Sequence, residues 1–502
     1  MDNQLALMKK YVWGRVVRAI LSAFIVTVIA MVMIYTLIPR HLIFKTDPTY
    51  QKLGGKADDR ERYKNTAYER LGYIYFDEQV DMCKAYAADS VEACNVNGSS
   101  QANEVAEKYE ADGWTVKQYK AGGYYAYKDV PIFKIVANFF SNLIEIDHPW
   151  RVNDSSNPDL KRRIYFGTDY NGVPALMGEG TKHKYLIYFD GSFPFIHQNV
   201  ISLNLGKSYP SYAYTDISKV ISSGQGTEKS TMQKFETGSK TKSAVIQHSC
   251  TYKATKNLDK LDKNKFTDNY ATCDTTKKDP SMIATSMTFG VLALLLAYCI
   301  AIPAGMLMAS HKGKAADHIG TVWINFMIAV PSLAFIFFGR QVFYLLGFPT
   351  SFPSLGAHNI KSYIPAIVIL ALMNTGSLML WTRRYMLDQS NADYVKFARA
   401  KGLSQSEIFK KHILRNAVIP IVHDLPASII LTITGAVLTE TVFAIPGTGK
   451  LLPDAINEHN NAMIVALTIL YTSLSIFSVL IGDLLMTVVD PRIKLTDDGG
   501  AN

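Results

Sequence analysis

Two sets of residues in this 502-residue chain could do chemistry. One is Ala444-Ile-Pro-Gly-Thr-Gly449-Lys-Leu451, a glycine-rich run closing on lysine. Loops of that composition cradle phosphate with backbone N–H groups. The other is cysteine: four of the five, Cys83, Cys94, Cys250 and Cys273, stand in the polar part of the chain, where thiols can hold a metal or pair. The glycine run does not complete a nucleotide site. A phosphate loop needs glycine where Ala444 stands, Ser or Thr to hold magnesium where Leu451 stands, and a strand before it. The plain reading is a turn in which Pro446 and the glycines stop a helix and reverse the chain. No Cys/His spacing matches a zinc site and no nucleophile is set beside a base. His183, His197 and His248 are scattered, as ordinary surface or core histidines are. Cys299 lies in an apolar run as a small apolar residue. A catalytic site, a metal and a bound cofactor are not expected of this chain.

Hydropathy sets the elements that must position these residues. The chain is 48% hydrophobic with a net charge of +9, and its apolar residues concentrate in uncharged blocks suited to crossing about 30 Å of hydrocarbon. The first block runs Ala19 to Ile38. Its length, and Pro39-Arg40 in place of a small-residue cleavage site, make it a retained helix rather than a signal peptide. Others run Ser281 to Ser310, Ile319 to Gly339, Ser362 to Thr382, Leu425 to Thr439 (continuing past Glu440) and Ala462 to Gly482. That predicts six spans. Basic residues gather on one side at every alternation: Lys9, Lys10, Arg15 and Arg18 at the start, Lys312 and Lys314 after the second span, Arg383 through Arg415 after the fourth. The other side carries little beyond Lys361 and Lys450. The positive-inside rule then puts both termini in the cytoplasm and the polar stretch outside. The expected organisation is a cytoplasmic N-terminus and first helix over 1–44, an extracellular insertion over 45–280, a five-helix core over 281–495 and a cytoplasmic tail over 496–502. The glycine run falls outside, away from ATP. No basic stripe with interleaved aromatics suggests nucleic acid.

The cytoplasmic loop 388–420 is the most informative segment. Tyr394 to Lys401 reads as helix, and Gly402 can stop it by taking positive φ. Ser404 with Glu407 three residues on forms a capping box, starting a second short helix at Gln405. That helix shows Ile408, Phe409, His412 and Ile413 on one side and Lys410, Lys411 and Arg415 elsewhere. Such a hairpin can lie on anionic lipid or dock a soluble partner.

The loop resembles the EAA coupling loop of ABC-importer permeases in the form used by peptide permeases: YVKFARAKGLS, then HILRNAVIP. Asn204 to Tyr209 (NLGKSY) resembles the segment before that family's second span. Thr439 to Phe443 (TETVF) with Pro446-Gly447-x-Gly449 resembles the turn after the fifth, and Asp490-Pro-Arg-Ile493 the C-terminal end. On these motifs the chain is similar to the oligopeptide permeases of streptococci and relatives, the OppB/AmiC type, which carry a long external insertion. Lys396-Phe-Ala398 stands where the name-giving Glu-Ala-Ala would be, and His412-Ile-Leu-Arg415 where the general motif ends. Charge contacts of the general family therefore do not carry over, whereas Gly402 does. The resemblance implies an α-helical polytopic membrane protein of a bacterial plasma membrane. It would have a six-helix type I ABC-importer permease core and a large extracellular mixed α/β insertion between the first and second spans. Implied partners are a second permease of the OppC/AmiD type, two ABC ATPase subunits holding ATP and magnesium, an extracellular peptide-binding lipoprotein, an oligopeptide substrate and membrane lipid. Coupling to the ATPases would run through Ala398, Lys401, Gly402, Leu403, Ser404, Glu407, Ile408, Phe409 and His412. Leu403, Ile408 and Phe409 would do the seating.

Polar residues inside spans are candidates for the translocation path: Arg340, Asn374, Thr375 and Glu440, with Ser377 and Asp483 beside them. For Glu440, helix packing near the outer surface is the plainer reading, and Arg340 can snorkel from a span's end. Pro303 and Pro331 predict kinks. Relative to shorter peptide permeases, the excess sequence falls in two pieces, about 45–195 and 222–279. Trp114 to Tyr127, around Gly122-Gly123, reads as a hairpin, and Lys184 to Asp190 as a strand. Four cysteines allow three pairings; Cys83–Cys94 with Cys250–Cys273 keeps each disulfide within one piece. A membrane receptor with an extracellular peptide-sensing domain would explain the insertion but neither six spans nor the hairpin. An ion-driven transporter would often show inverted repeats and discontinuous helices with paired intramembrane charges, and neither stands out clearly in the sequence.

Overall fold

The structure, a computed structural model, describes residues 2–191, 195–274, 277–352, 359–432 and 436–489; the side chains of 2–12, 225–229, 277–280, 422 and 483–489 lie outside the description. Among the described residues, five helices are long and apolar enough to cross a membrane: Trp13–Leu37, Met282–Ser310, Ile360–Ser390, Gln405–Leu431 and Asn461–Gly482. The span expected between the second and fourth is not one helix. Ala315–Ala329 and Ser332–Leu345 qualify only together and are bent by 110°. Pro331 is the reason. It offers no N–H to continue the ladder, and it drives Val330 into an extended conformation with ψ 132°. The kink predicted there is thus a full break, while Pro303 sits inside an uninterrupted Met282–Ser310 helix.

The fifth span is also displaced from its expected place. The helix that carries it runs from Gln405 to Leu431, and Glu440 stands on a separate short helix, Val437–Phe443. Arg415, His423 and Asp424 break up the apolar pattern of the helix that forms. Residues 433–435, inside the stretch where the span was expected, lie outside the described residues, and Ala436 just beyond them is non-helical at φ −94° and ψ 82°.

Small residues bring the spans together. Met282–Ser310 lies against Ile364–Ser390. Ala293, Ala297, Ala301 and Gly305 recur at every fourth position and are buried. A Cβ at Gly305 would press on the Thr382 side chain and the Met379 carbonyl. Small side chains at this spacing let backbones approach and gain dispersion that lipid tails do not replace. The first helix leans on the last and is otherwise largely exposed.

Between the first helix and Met282 lies a mixed α/β segment. Its first sheet is antiparallel, with Tyr124–Asp129 between Ile74–Glu78 and Thr115–Gln118. A second antiparallel sheet runs Arg163–Thr168, Pro174–Glu179, Tyr185–Phe189, Ile196–Gln198 in spatial order. The predicted hairpin and the 184–190 strand are both present, as are the disulfides Cys83–Cys94 and Cys250–Cys273. The histidines are less scattered than their sequence positions suggest. His197 and His248 both stack on Tyr188, at 5.4 and 4.1 Å, and buried His248 pairs with Asp169 at 2.8 Å. His183 pairs with Asp147 at 3.1 Å. Burial alone would raise the Asp147 carboxyl, but hydrogen bonds from the His183 ring and the His183 and Lys182 backbone hold it below the ordinary range.

A buried polar node ties this segment to the membrane helices. Asn460 and Asn461 open the last span and are buried. The Asn460 amide donates to Ser208 Oγ at 2.7 Å and Ser211 Oγ at 3.0 Å, and its Oδ1 accepts from Tyr209 N at 3.3 Å and Met463 N at 3.1 Å. Asn461 donates to the Tyr73 hydroxyl at 2.9 Å. The Tyr209 hydroxyl reaches Asp47, just beyond the first helix, which also accepts from Tyr63 at 2.8 Å. Phe44, Tyr68, Tyr73 and Tyr209 pack around the node. Buried networks of this kind fix one arrangement, because any slip strands polar groups away from water.

Candidate functional site

The hairpin between the fourth and fifth spans is built from a short helix, a glycine turn and a cap. Asp393–Ala400 is its first arm. Gly402 follows at φ +77°. No atom of the described residues lies within 4 Å of where its Cβ would stand, so the position needs glycine for conformation, not for space. Ser404 Oγ accepts from Glu407 N at 3.3 Å, and the Glu407 carboxylate accepts from Ser404 N at 3.2 Å, which completes the capping box. The second arm is not the separate short helix expected. From Gln405 it passes through a π-helical turn, Ile408–Ile413, and runs on to Leu431. A π turn inserts into a helix without ending it. One helix therefore carries both the hairpin tip and the fifth span.

Val395, Ala398, Ile408, Ile413 and Ala417 pack under the hairpin with Met386 of the fourth span. Ile408 and Ala398, expected as partner contacts, are buried by the chain itself, so they hold the arms together instead. Phe409 is half-buried against the same cluster. Lys401, Gly402, Leu403 and Ser404 are exposed at the tip; Glu407 and His412 are half-buried. Phe397, absent from the expected contacts, is 69% exposed. Its signal was an aromatic on the polar side of the first arm, between Lys396 and Ala398. Close by, Arg383 grips Asp317 through two bonds of 2.6 and 2.9 Å, and Gly313 N donates to the same carboxylate at 2.9 Å. This fork pins the start of Ala315–Ala329 to the fourth span. The sequence reading passed over Asp317.

The glycine run does bind an anion, but the anion is the chain's own. Glu440 is buried, and its carboxylate accepts from Ser286 Oγ at 2.7 Å, Ala436 N at 3.1 Å and Lys450 N at 3.0 Å. Thr448 N donates to Ser286 Oγ at 2.8 Å. Lys450 lies in the first turn of the helix Thr448–Asn457, so the carboxylate occupies a helix N-terminus, where phosphate would sit in a nucleotide loop. A Cβ on Gly447 would collide with Glu440 and Ser286. Ala444, in the place of a phosphate loop's first glycine, is left-handed at φ +52°. Glu440 thus packs and caps rather than facing a path.

The remaining polar candidates divide. Thr375 is buried, accepting from Trp323 Nε1 at 2.9 Å and donating to the Leu372 carbonyl at 2.6 Å; it binds two helices together and is closed to a path. Arg340 is half-buried and donates to the Val442 carbonyl at 3.4 Å. Asn374 and Ser377 are exposed, three residues apart on one helix. The side chain of Asp483 and the segment 490–502, with its Asp490 to Ile493 motif, lie outside the described residues. Asp424, beside His423 at 2.9 Å, is exposed within Gln405–Leu431. Reading the span from Leu425 hid it. Polar groups at these depths face protein or water rather than lipid.

A multi-pass membrane protein with a broken third span and a capped hairpin feeding the fifth is what the fold defines. The family model described as "Binding-protein-dependent transport system inner membrane component" matches residues 301–495. The chain is 45% identical to the oligopeptide transport system permease protein AmiC of Streptococcus pneumoniae, over 98% of this chain and 100% of that one. It is 32% identical to the dipeptide transport system permease protein DppB of Lactococcus lactis, over 46% of this chain and 77% of that one. It is also 32% identical to the oligopeptide transport system permease protein AppB of Bacillus subtilis, over 41% and 67%. A solved MetNI methionine ABC transporter chain aligns over 42% of this chain and 94% of its own at 15% identity and a TM-score of 0.35. The chain belongs to the ABC-importer permeases, in the branch of the AmiC-type oligopeptide permeases.

Proposed function

We propose that this chain is one of two different membrane subunits of an ATP-driven importer that moves oligopeptides from a binding lipoprotein into the cell. ATP and magnesium would bind partner ATPases, which would seat on the hairpin 393–413. Both termini would be cytoplasmic and 45–280 extracellular, as the distribution of Lys and Arg favours. The observation that carries the coupling role is the continuity of Gln405–Leu431, 27 residues and so about 40 Å of helix. Its capped end is the hairpin tip. Closure of the ATPases around that tip would move the fifth span as a body, shifting the population between inward-open and outward-open arrangements. Within this chain, Ile408, Ile413, Ala398 and Val395 keep the lever stiff, and Leu403 and Phe397 offer apolar contact. Peptides of many sequences need a path with few specific contacts, in keeping with sparse exposed polar groups such as Asn374 and Asp424.

The test is the pair Phe397→Asp and Leu403→Asp in the transporter purified from its own host. Uptake and peptide-stimulated ATP hydrolysis should fall about tenfold or more, with ATPase subunits lost from the complex and the chain's thermal stability unchanged. Retention of the ATPases with normal uptake would overturn the docking assignment.

A further inference from the structure

The segment between the first and second spans carries an apolar surface that faces the wrong way for water. Helix Ile132–Ser141 is apolar and lies along the first span. Its Phe140 ring meets Phe24 at 4.6 Å. Depth can be read along the first helix. Tyr35 is level with the mouth of the last span, because its ring meets Tyr73 at 5.4 Å and the Tyr73 hydroxyl accepts from Asn461. Phe24 lies eleven residues before Tyr35, about 16 Å further along the helix. The end of Ile132–Ser141 therefore sits beside the apolar middle of the first span, not above it. On its open side Phe133 is 76% exposed.

The chain then enters a two-stranded ribbon, Ile144–Ile146 paired with Ile201–Leu203. Its outward residues are Ile144, Ile146, Ile201 and Leu203, each about half exposed. Its inward residue Glu145 meets Lys182 at 3.3 Å, Arg151 at 3.2 Å and Asn204 at 3.0 Å. A ribbon on a water-soluble domain turns its polar face out and its apolar face in. This one is inverted.

We propose that Ile132–Ser141 and this ribbon are immersed in the adjoining leaflet and contact lipid acyl chains. Lipid is the fitting occupant because the surface continues the flank of the first span, where Ile20, Leu21 and Ile25 are exposed around Phe24. A helix packed on that flank shares its surroundings. Lys134, on the helix's first turn, reaches back over the Tyr75 ring at 5.1 Å, as a lysine at a membrane interface snorkels. The inserted segment then acts as a wedge in the bilayer beside the first span, anchored from the side as well as at the Asn460 node. The inference requires only that the first helix crosses a bilayer and holds whichever side the insertion occupies.

The test uses the whole transporter from its own host, reconstituted in phospholipid liposomes. With Cys299→Ser removing the free thiol, a spin label is placed through Phe133→Cys, Ile144→Cys or Ile201→Cys. Leu261→Cys, on another exposed part of the segment, is the aqueous control. At 133, 144 and 201, collisions with oxygen should exceed those with a water-soluble nickel chelate several-fold, and at 261 the order should reverse. Nickel-dominated collision at 133 and 201 would overturn the proposal by showing water there. Shielding from both reagents would overturn it by showing a protein partner instead.

Discussion

Two glycine turns in this molecule do opposite work. Gly402, at the hairpin, stands in open space with a left-handed backbone, and the residues around it are exposed. Gly447, after the fifth span, has an ordinary negative φ and is wedged against Glu440 and Ser286, whose side chains are hydrogen-bonded to each other, with Ser286 Oγ also accepting from Thr448 N. One turn is left unfinished by its own chain; the other is closed upon itself. An unfinished, rigid turn invites a partner, whereas a closed one holds helices together. The likeness of Ala444 to Leu451 to a nucleotide loop is the same physics turned inward: backbone N–H groups at a helix start collect a negative charge, and here a glutamate supplies it.

The contrast breaks most readily at Gly447. Gly447→Ala forces a methyl into buried carboxylate and hydroxyl, and should destabilise the chain by about 3 kcal/mol or more, read as a fall in thermal unfolding temperature in detergent. Gly402→Ala meets no atom and should cost only about 1 kcal/mol, the strain of a left-handed alanine, while lowering transport more than stability. Equal stability losses at the two positions would undo the distinction.

Next in size is the node at the last span. Asn460→Ala strands Ser208, Ser211 and the Tyr209 N–H, so a loss of about 2–3 kcal/mol is expected. It should show locally, as faster hydrogen exchange in the segment around Tyr209 with the hairpin unaffected. Uniform exchange changes would mean the insertion and the spans unfold as one unit. A smaller effect belongs to Asp147. Its folded carboxyl titrates below the usual aspartate value of about 3.9, so its stabilisation is complete above that value and is lost as pH falls through the lower folded one. Acidification below about pH 4 should therefore destabilise the parent more steeply than Asp147→Asn, read as the slope of unfolding temperature against pH.

Much of this architecture is legible in sequence where a local rule suffices. The capping box at Ser404 and Glu407, the left-handed Gly402, the hairpin around Gly122-Gly123 and the local disulfides follow from residue types at short spacing. What escaped depends on partners far along the chain. Ile408 looked available because the helix face that covers it, with Met386, comes from another span. Thr375 looked like a path residue because its Trp323 partner is fifty-two positions away. The fifth span was set too late, since Arg415, His423 and Asp424 weaken a hydropathy pattern that tertiary packing and the hairpin cap sustain. Proline had an ambiguous vote: Pro331 broke its helix, with Val330 extended before it, and Pro303 did not.

The smallest expected effect tests whether the closed turn is set by backbone conformation alone. Ala444 ends Val437–Phe443 in the left-handed region, φ +52° and ψ 38°, and its methyl is exposed. An L-residue there carries about 1–2 kcal/mol of strain. Glycine removes it but adds about 0.5–1 kcal/mol of unfolded-chain entropy. Ala444→Gly should therefore gain only about 0.5 kcal/mol, visible as a small upward shift in unfolding temperature with uptake unchanged. A loss instead would mean that the methyl packs against something the isolated chain does not contain. Ala444 would then belong with Leu403 and Phe397 among the surfaces that await a partner, and the turn after the fifth span would be as unfinished as the one before it.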